Sequence, residues 1–237
     1  MMTPEEMKKT WGTIGLRYKS HPWHGIDIGK DAPEKVTAFI EMVPSDTVKY
    51  EIDKESGFLM VDRPQKFSNM VPALYGFIPK TYCDESIAAY CRQQTGRDNI
   101  DGDGDPLDIL VLTDRNIPHG DIMLTAIPLG GLRMIDDGEA DDKIIAVMKG
   151  DPIYADMHDI DQLPHAIVQR LKHYFLSYKQ MPGQPAKTEI TDTYGKDEAY
   201  EVIRRSIEDY ERLYGNLNER LSDAAMDAIN HSQNNSK

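Results

Sequence analysis

The hydrophobic pattern of this chain changes its period once, and this change limits the fold more than any other feature. Between Thr47 and Asp53, apolar and charged residues alternate strictly, which is the pattern of a strand with one buried face. A turn at 55–57 and an apolar return segment at 58–63 complete a β-hairpin. From Asp161 onward, apolar residues recur every three or four positions, as they do in amphipathic helices. Strands first and helices last are typical of an α+β protein.

Three further apolar segments are predicted to be strands, at 107–113, 122–129 and 143–147. Two long helices are predicted after them, one through 163–178 and one through 203–221. The apolar stripe of the second helix is short for a coiled coil, so we expect it to pack on the sheet. The polar stretch at 80–99 has only a weak helical pattern and is interpreted as a surface excursion. The sequence therefore predicts an α+β, mainly β protein in which helices pack on a small antiparallel sheet or barrel.

The charge balance excludes some classes of partner. The 237 residues include 40 acidic and 27 basic side chains, which gives a net charge of -13. Binding to a nucleic-acid backbone needs a basic face, so we expect no nucleic acid as a partner. An anionic substrate remains compatible with this charge, because a local basic pocket or bound cations reverse the field. No apolar run approaches the roughly 18 residues of a membrane span, and two cysteines suit a reducing compartment, so the expected location is cytoplasmic, with no membrane partner.

The segment Asp101-Gly-Asp-Gly-Asp-Pro-Leu-Asp concentrates four carboxylates without a basic residue between them. Two unit charges about 4 Å apart repel by roughly 4 kcal/mol at an effective dielectric constant near 20. Folding them together is costly unless cations bind or a carboxylate takes up a proton. A solvated acidic turn is the alternative, but Asp108 falls inside the predicted strand at 107–113, where solvation alone does not explain a charge. Oxygen ligands select Mg²⁺, Mn²⁺ or Ca²⁺.

A calcium-binding EF-hand does not fit this segment. That loop needs Gly at its sixth position and Glu at its twelfth, and counting from Asp101 these positions hold Pro106 and Leu112. The flanking residues are also typical of strands and not of helices.

A second acidic cluster at 136–143 closes on a lysine, and basic residues occur where they can face both clusters. Alone, the second cluster is a turn; together with the first, it supplies the further ligands of a multi-metal site. Lys49 and Glu51 share one face of their strand, Arg63 ends the return strand, and Tyr178-Lys179 closes the first helix. Carboxylates, Lys, Arg and Tyr without a candidate nucleophile indicate metal-assisted phosphoryl transfer to water.

The run Asp103-Gly-Asp-Pro-Leu-Asp108 resembles the signature of the family I soluble inorganic pyrophosphatases. Further segments match that family in the same order, namely 49–57, 61–63, 75–76, 136–143 and 178–179. The similarity covers roughly residues 28–215. It implies an OB-fold-like five-stranded antiparallel barrel with flanking helices packed on it, several Mg²⁺ ions, and hydrolysis of pyrophosphate to two phosphates.

The resemblance also implies how the chain is divided. Residues 1–27 would form an N-terminal arm, and 28–215 the barrel domain with its excursion at 80–100. Residues 216–237 would form the end of the last helix and a frayed tail. Trp11 and Trp23 are expected to anchor the arm. Family members assemble as dimers or hexamers, so a homo-oligomer is expected.

Residue roles follow from the same resemblance. The metal-ligating carboxylates would be Asp103, Asp108, Asp136, Asp141, Glu51 and Glu41, with Asp108 bridging two ions. Asp105 resembles the general base, and Tyr75 the tyrosine near the metals and the base. The phosphate clamp would be Lys49, Arg63, Lys143, Tyr178 and Lys179. The implied cofactor is Mg²⁺, with Mn²⁺ as an alternative, and the implied substrate is pyrophosphate as its magnesium complex.

The chain departs from the family at one position, and its residues leave two other functions open. Val71 occupies a position where family members often have Tyr. A non-catalytic OB-type module that binds Ca²⁺ or a basic partner is one alternative, although it does not need Lys49, Arg63 and Lys143. An enzyme acting on a nucleotide is the other, although no Gly-rich phosphate loop is found.

Overall fold

A computed structural model describes residues 19–179, 183, 185, 187–217, 219, 220, 222 and 223. Most of the expected N-terminal arm, including Trp11, and most of the expected C-terminal tail lie outside these residues. Within them, no helix is both long enough and apolar enough to cross a membrane.

Nine of the ten strands in the described residues precede the two long helices that the hydrophobic periods predicted, but another helix follows the fourth strand and one strand lies between the two long helices. The strands are β1 Val36–Met42, β2 Val48–Ile52, β3 Leu59–Pro64, β4 Leu74–Phe77, β5 Asp101–Gly102, β6 Asp108–Leu112, β7 Ile122–Asp136, β8 Glu139–Ala140, β9 Lys143–Met148 and β10 Thr188–Gly195. The helices are α1 Glu85–Thr95, α2 His165–Ser177 and α3 Lys196–Tyr214, and a short 3-10 helix spans Ile160–Gln162.

Five strands close into a ring in the order β1, β4, β6, β9, β7 and back to β1. The five-stranded, mainly β architecture is thus confirmed, with one difference from the antiparallel expectation. The strands β6 and β9 run parallel, because the hairpin of β7 and β9 places its second strand beside β6. The sheet is therefore mixed, and this parallel pair sets Asp108 directly opposite Lys143.

The predicted hairpin is confirmed as the pair β2 and β3, which forms its own two-stranded sheet. Lys49 and Arg63 are register partners in this hairpin, and the register shifts between Lys49 and Tyr50. On the apolar face of β2, Ile52 is buried and Tyr50 is half-buried against an apolar core cluster.

The expected surface excursion is a packed helix. Helix α1 buries Ile87, Ala88 and Cys91, which form a stripe too narrow to stand out among polar neighbours. It packs against α3. Helix α3 buries Val202 and Ile203 in the barrel core, as expected for its apolar stripe, although Leu221 lies outside the described residues.

Trp23 anchors the start of the described chain. Its side chain is 2% exposed and packs in a cluster with Phe39, Phe77 and Tyr210. Its indole N–H donates to the Thr81 carbonyl oxygen at 2.7 Å. The expected anchoring role is therefore confirmed for Trp23.

Candidate active site

Every side chain that the sequence analysis assigned to a site lines a single cleft of about 230 Å³. The cleft lies between the β2–β3 hairpin, the acidic residues before β6, the turn before β9 and the end of α2. The assigned residues in its wall are Glu41, Lys49, Glu51, Arg63, Tyr75, Asp103, Asp105, Asp108, Asp136, Asp141, Lys143, Tyr178 and Lys179. Separate parts of the chain therefore converge on one cleft, and the roles assigned to these residues stay predictions.

Residues 101–105, which we call the acidic loop, include the short strand β5 and turn tightly before β6. Gly104 has a φ of +71°, a conformation that glycine adopts without strain. The Asp105 backbone N–H donates to the Asp103 carboxylate at 3.0 Å. This turn directs Asp103 and Asp105 into the cleft beside Asp108, the first residue of β6.

Lys143 connects two of the carboxylates. Its buried ammonium group donates to both Asp108 and Asp141. The Tyr75 hydroxyl donates at 2.6 Å to Asp108 Oδ2, the same oxygen that accepts from Lys143. Asp108 thus has a fixed orientation between a phenol and an ammonium group.

The electrostatics of this cluster follow from its burial. Burial raises the pKa of Asp103 well above its usual value, and the nearby charge of Asp141 adds to the effect. Burial also raises the pKa of Asp108, although Lys143 opposes the shift. Burial alone would lower the pKa of Lys143, but Asp108 and Asp141 raise it well above its usual value, so Lys143 stays charged. Concentrated negative charge in this cleft favours a bound cation.

Asp136 and Lys179 form a second charged pair on the other wall. Lys179 donates to one oxygen of Asp136, and Thr188 donates to the other at 2.8 Å. Burial would raise the pKa of Asp136, but these two hydrogen bonds outweigh it and lower the pKa. Asp136 is therefore a carboxylate at neutral pH, and Lys179 also lies over the ring of Tyr178, 5.1 Å from its centroid.

The hairpin supplies the third wall. Lys49 donates to Glu51 at 2.7 Å and lies 3.5 Å from Asp62, which also accepts from Arg63. Burial would lower the pKa of Lys49, but its hydrogen bond with Glu51 raises it. Two cationic side chains thus face the cleft from neighbouring strands.

Glu41 has a different environment from the other carboxylates. It is 5% exposed, and its Oε1 accepts the Ile52 backbone N–H at 2.8 Å, which fastens β1 to the hairpin. Burial raises the pKa of Glu41 to about 8. Burial therefore favours the protonated form of Glu41, and a ligand role requires that a cation displace this proton.

Sequence reasoning missed other residues of the cleft wall. Lys54 contacts Asp105, and Tyr174 stacks on Tyr178 with ring centroids 5.3 Å apart. Tyr174 precedes Tyr178 by one helical turn, so its position could have been found from helical spacing. Lys54 follows β2 in a turn, and nothing in the local pattern indicates that this turn reaches Asp105. Val71 is buried in the same apolar cluster as Tyr174.

No group of three or more His, Cys, Asp or Glu side chains among the described residues surrounds a common point as a finished metal site. Asp108 and Asp141 point to Lys143 instead. The donors are nevertheless carboxylate oxygens, which is the ligand chemistry of Mg²⁺ and Mn²⁺.

A ring of five strands with this cleft defines a protein of the OB-like class. A model of the inorganic pyrophosphatase family matches residues 38–211. The chain is 54% identical over 199 residues to an inorganic pyrophosphatase of Chlamydia muridarum, which covers 82% of this chain and 95% of that protein. It is 37% identical over 208 residues to soluble inorganic pyrophosphatase 3 of Arabidopsis thaliana, with 87% of each chain covered. The crystal structure of the inorganic pyrophosphatase from Thermus thermophilus matches with a TM-score of 0.68 and 28% identity, over 81% of this chain and 99% of that one. The chain belongs to the inorganic pyrophosphatase family.

Proposed function

We propose that this protein hydrolyses pyrophosphate to two phosphates by attack of a water molecule, in a reaction that depends on divalent cations. One observation supports this proposal most strongly. Lys143 joins Asp108 and Asp141 in a cleft whose other walls carry Lys49, Arg63 and Lys179. Carboxylates for cations and ammonium or guanidinium groups for phosphates thus face the same space.

The residues present suit Mg²⁺, with Mn²⁺ as an alternative. The proposed ligands are Asp103, Asp108, Asp136, Asp141, Glu51 and Glu41. Bound cations would lower the pKa of the attacking water and neutralise part of the substrate's charge. Because Lys143 holds Asp108 and Asp141 in this structure, a cation has to compete with Lys143 for these carboxylates.

The chain's own groups perform the remaining steps. Asp105 lies on the acidic loop, faces the cleft and would accept a proton from the attacking water. The water oxygen forms a bond to one phosphorus, and the bridging oxygen leaves with the second phosphate. Tyr75 orients Asp108 through its hydrogen bond.

Phosphate binding falls to the cationic side chains and to one phenol. The proposed clamp is Lys49, Arg63, Lys143, Tyr178 and Lys179. These groups stabilise the negative charge that develops on the leaving phosphate. The net charge of -13 does not oppose binding, because the substrate would arrive as its magnesium complex.

Phosphate release from pyrophosphate and from ATP, each with Mg²⁺ and with EDTA, tests this function. We expect release from pyrophosphate that needs Mg²⁺ and far exceeds release from ATP. Equal release from both substrates would favour a nucleotide hydrolase. Binding of Mg²⁺ or Ca²⁺ without any phosphate release would favour the non-catalytic module.

The proposal also covers the extent of the catalytic unit, its assembly and its location. We propose residues 28–215 as the catalytic unit, a homo-oligomeric assembly and a cytoplasmic location. The family model at 38–211 falls within this unit, and the name of the Arabidopsis relative describes that protein as soluble. Native mass determination tests the assembly.

A further inference from the structure

Helix α1 begins without a cap from its own sequence. The side chain of Asp84, at its N-cap, makes no capping hydrogen bond. Asp209, on α3, supplies the capping hydrogen bonds instead. Its carboxylate is 0% exposed and accepts the backbone N–H groups of Asp84 at 2.9 Å, Ser86 at 3.0 Å and Ile87 at 3.1 Å. A carboxylate at this end also suits the helix dipole, so α3 fixes the start of α1 by charge-assisted hydrogen bonds.

The segment 81–84, which we call the strap, joins α1 to the acidic loop. The Cys83 N–H donates to the Asp105 carbonyl oxygen at 2.9 Å, and the Gly104 N–H donates to the Cys83 carbonyl oxygen at 3.0 Å. The strap therefore pairs on both sides with the backbone that carries Asp103 and Asp105.

Two more hydrogen bonds hold the first two residues of the strap. The Leu107 N–H, immediately before β6, donates to Thr81 Oγ1 at 2.9 Å. The Tyr82 N–H donates to the Ser206 carbonyl oxygen of α3 at 2.9 Å. The strap is thus fixed to the barrel by one residue and to α3 by the next.

Close packing leaves the acidic loop little freedom to move separately. At Gly102, a Cβ atom would lie 2.5 Å from the Asp84 Cα atom and 2.5 Å from the Cys83 carbonyl oxygen. Strap and loop are in backbone contact, so a displacement of the strap displaces the loop.

We propose that Asp209 is a positioning residue for the candidate active site. It holds the N-terminus of α1, α1 holds the strap, and the strap holds Asp103 and Asp105 at their places in the cleft. Asp209 does not line the cleft, and its carboxylate also pairs with Arg212 of the same helix at 2.5 Å. The proposal rests on the function proposed for these two aspartates, and it gives the segment 80–100 a role in the reaction.

The test replaces Asp209 by asparagine, which keeps the size but turns an NH₂ group toward backbone N–H donors. The matched control is Glu201→Gln, on the same helix, where Glu201 pairs with Arg204 and Arg205. Amide hydrogen exchange is followed in the peptides that contain Cys83 and Gly104. Mg²⁺ affinity is measured by titration calorimetry, and kcat and the half-saturating Mg²⁺ concentration by phosphate release.

For Asp209→Asn we expect exchange at Cys83 and Gly104 to rise by about tenfold, since a hydrogen bond to a charged group contributes at least that factor. The Mg²⁺ affinity and kcat should each fall by about three- to tenfold. The control should match the wild type in all four measurements.

If Asp209 only stabilises α1 and does not position the acidic loop, the measurements give a different result. If Asp209→Asn lowers the melting temperature while exchange at Gly104 and Mg²⁺ affinity stay at wild-type values, the proposal is wrong. Should Asp209→Asn not fold, Thr81→Val serves as the second variant. It removes the hydrogen bond between Leu107 and the first residue of the strap. The same changes in exchange and Mg²⁺ affinity are expected, and their absence overturns the proposal. Exchange does not depend on turnover, so a wild-type protein without phosphate release refutes the proposed function alone.

Discussion

Replacing Lys143 by methionine probes the charge cluster directly, because methionine keeps most of the apolar volume and removes the ammonium group. Lys143 is buried and donates to both Asp108 and Asp141. Removing one partner of a buried ion pair costs about 3–5 kcal/mol, since it leaves an uncompensated charge. A domain of this size loses about 2–4 °C of melting temperature per kcal/mol, so we expect a fall of about 6–20 °C in EDTA.

Mg²⁺ should reverse much of this loss. A cation that binds Asp108 and Asp141 supplies the charge that the variant lacks, and it no longer competes with an ammonium group. Binding to the folded state alone stabilises it in proportion to the logarithm of ligand concentration over dissociation constant. The rise in melting temperature between EDTA and saturating Mg²⁺ is therefore expected to be larger for Lys143→Met than for the wild type.

Thermal unfolding in EDTA and in a Mg²⁺ series measures both effects. Lys187→Met is the control, because Lys187 pairs with Asp137 at 2.7 Å on the surface. An exposed pair contributes about 0–1 kcal/mol, so this variant should melt within a few degrees of the wild type. An equal Mg²⁺-induced rise in Lys143→Met and wild type would refute the idea that cation and lysine share these carboxylates.

Three further predictions concern the base, the bridging carboxylate and a half-buried histidine. Asp105→Asn should lower kcat by roughly 10²–10⁴-fold with an unchanged melting temperature, and near-normal phosphate release would remove Asp105 from the role of base. Asp108→Ala should weaken Mg²⁺ binding more than Tyr75→Phe, which removes one hydrogen bond and costs about 1 kcal/mol; calorimetric titration ranks the two, and an unchanged affinity in Asp108→Ala contradicts the bridging role. Burial lowers the pKa of His24 to about 4, with a contribution from His21, whereas an unfolded histidine titrates near 6.5. The folded state therefore binds fewer protons in this window, so the contribution of His24 is complete above about pH 6.5 and is lost as the pH falls toward 4. Because the ring is half exposed, we discount the loss to about 1–2 kcal/mol; urea unfolding from pH 7 to 4.5 should show it in the wild type, and a loss of the same size in His24→Phe would contradict the assignment.

The local sequence pattern was sufficient to predict the structure of a segment where buried and exposed positions alternate or repeat along the chain. The strict alternation at 47–53 located the hairpin and placed Lys49 and Glu51 on one face. The charge of Asp108 inside an apolar segment indicated that it faces a special environment, and the structure places Lys143 opposite it. The family resemblance supplied the remaining members of the cleft.

Other elements could not be predicted because their stability comes from tertiary contacts. Strand β10 is mostly polar, and of its residues Thr188 and Tyr194 are buried against the barrel. The parallel pairing of β6 and β9 depends on which strand of a distant hairpin reaches β6. The contact of Lys54 with Asp105 likewise depends on how the hairpin lies on the barrel.

The parallel register of β6 and β9 makes the geometry of the candidate active site depend on correct strand pairing during folding. Asp108 and Lys143 meet because Ile109 pairs with Ile144 and Leu110 with Ile145 in the same ladder. A slip of one residue would turn an entire strand over and send its charged end into the apolar interior. A misregistered chain is therefore penalised twice, once in packing and once in an unpaired buried charge, so an inactive but stable misfolded form of this site is strongly disfavoured.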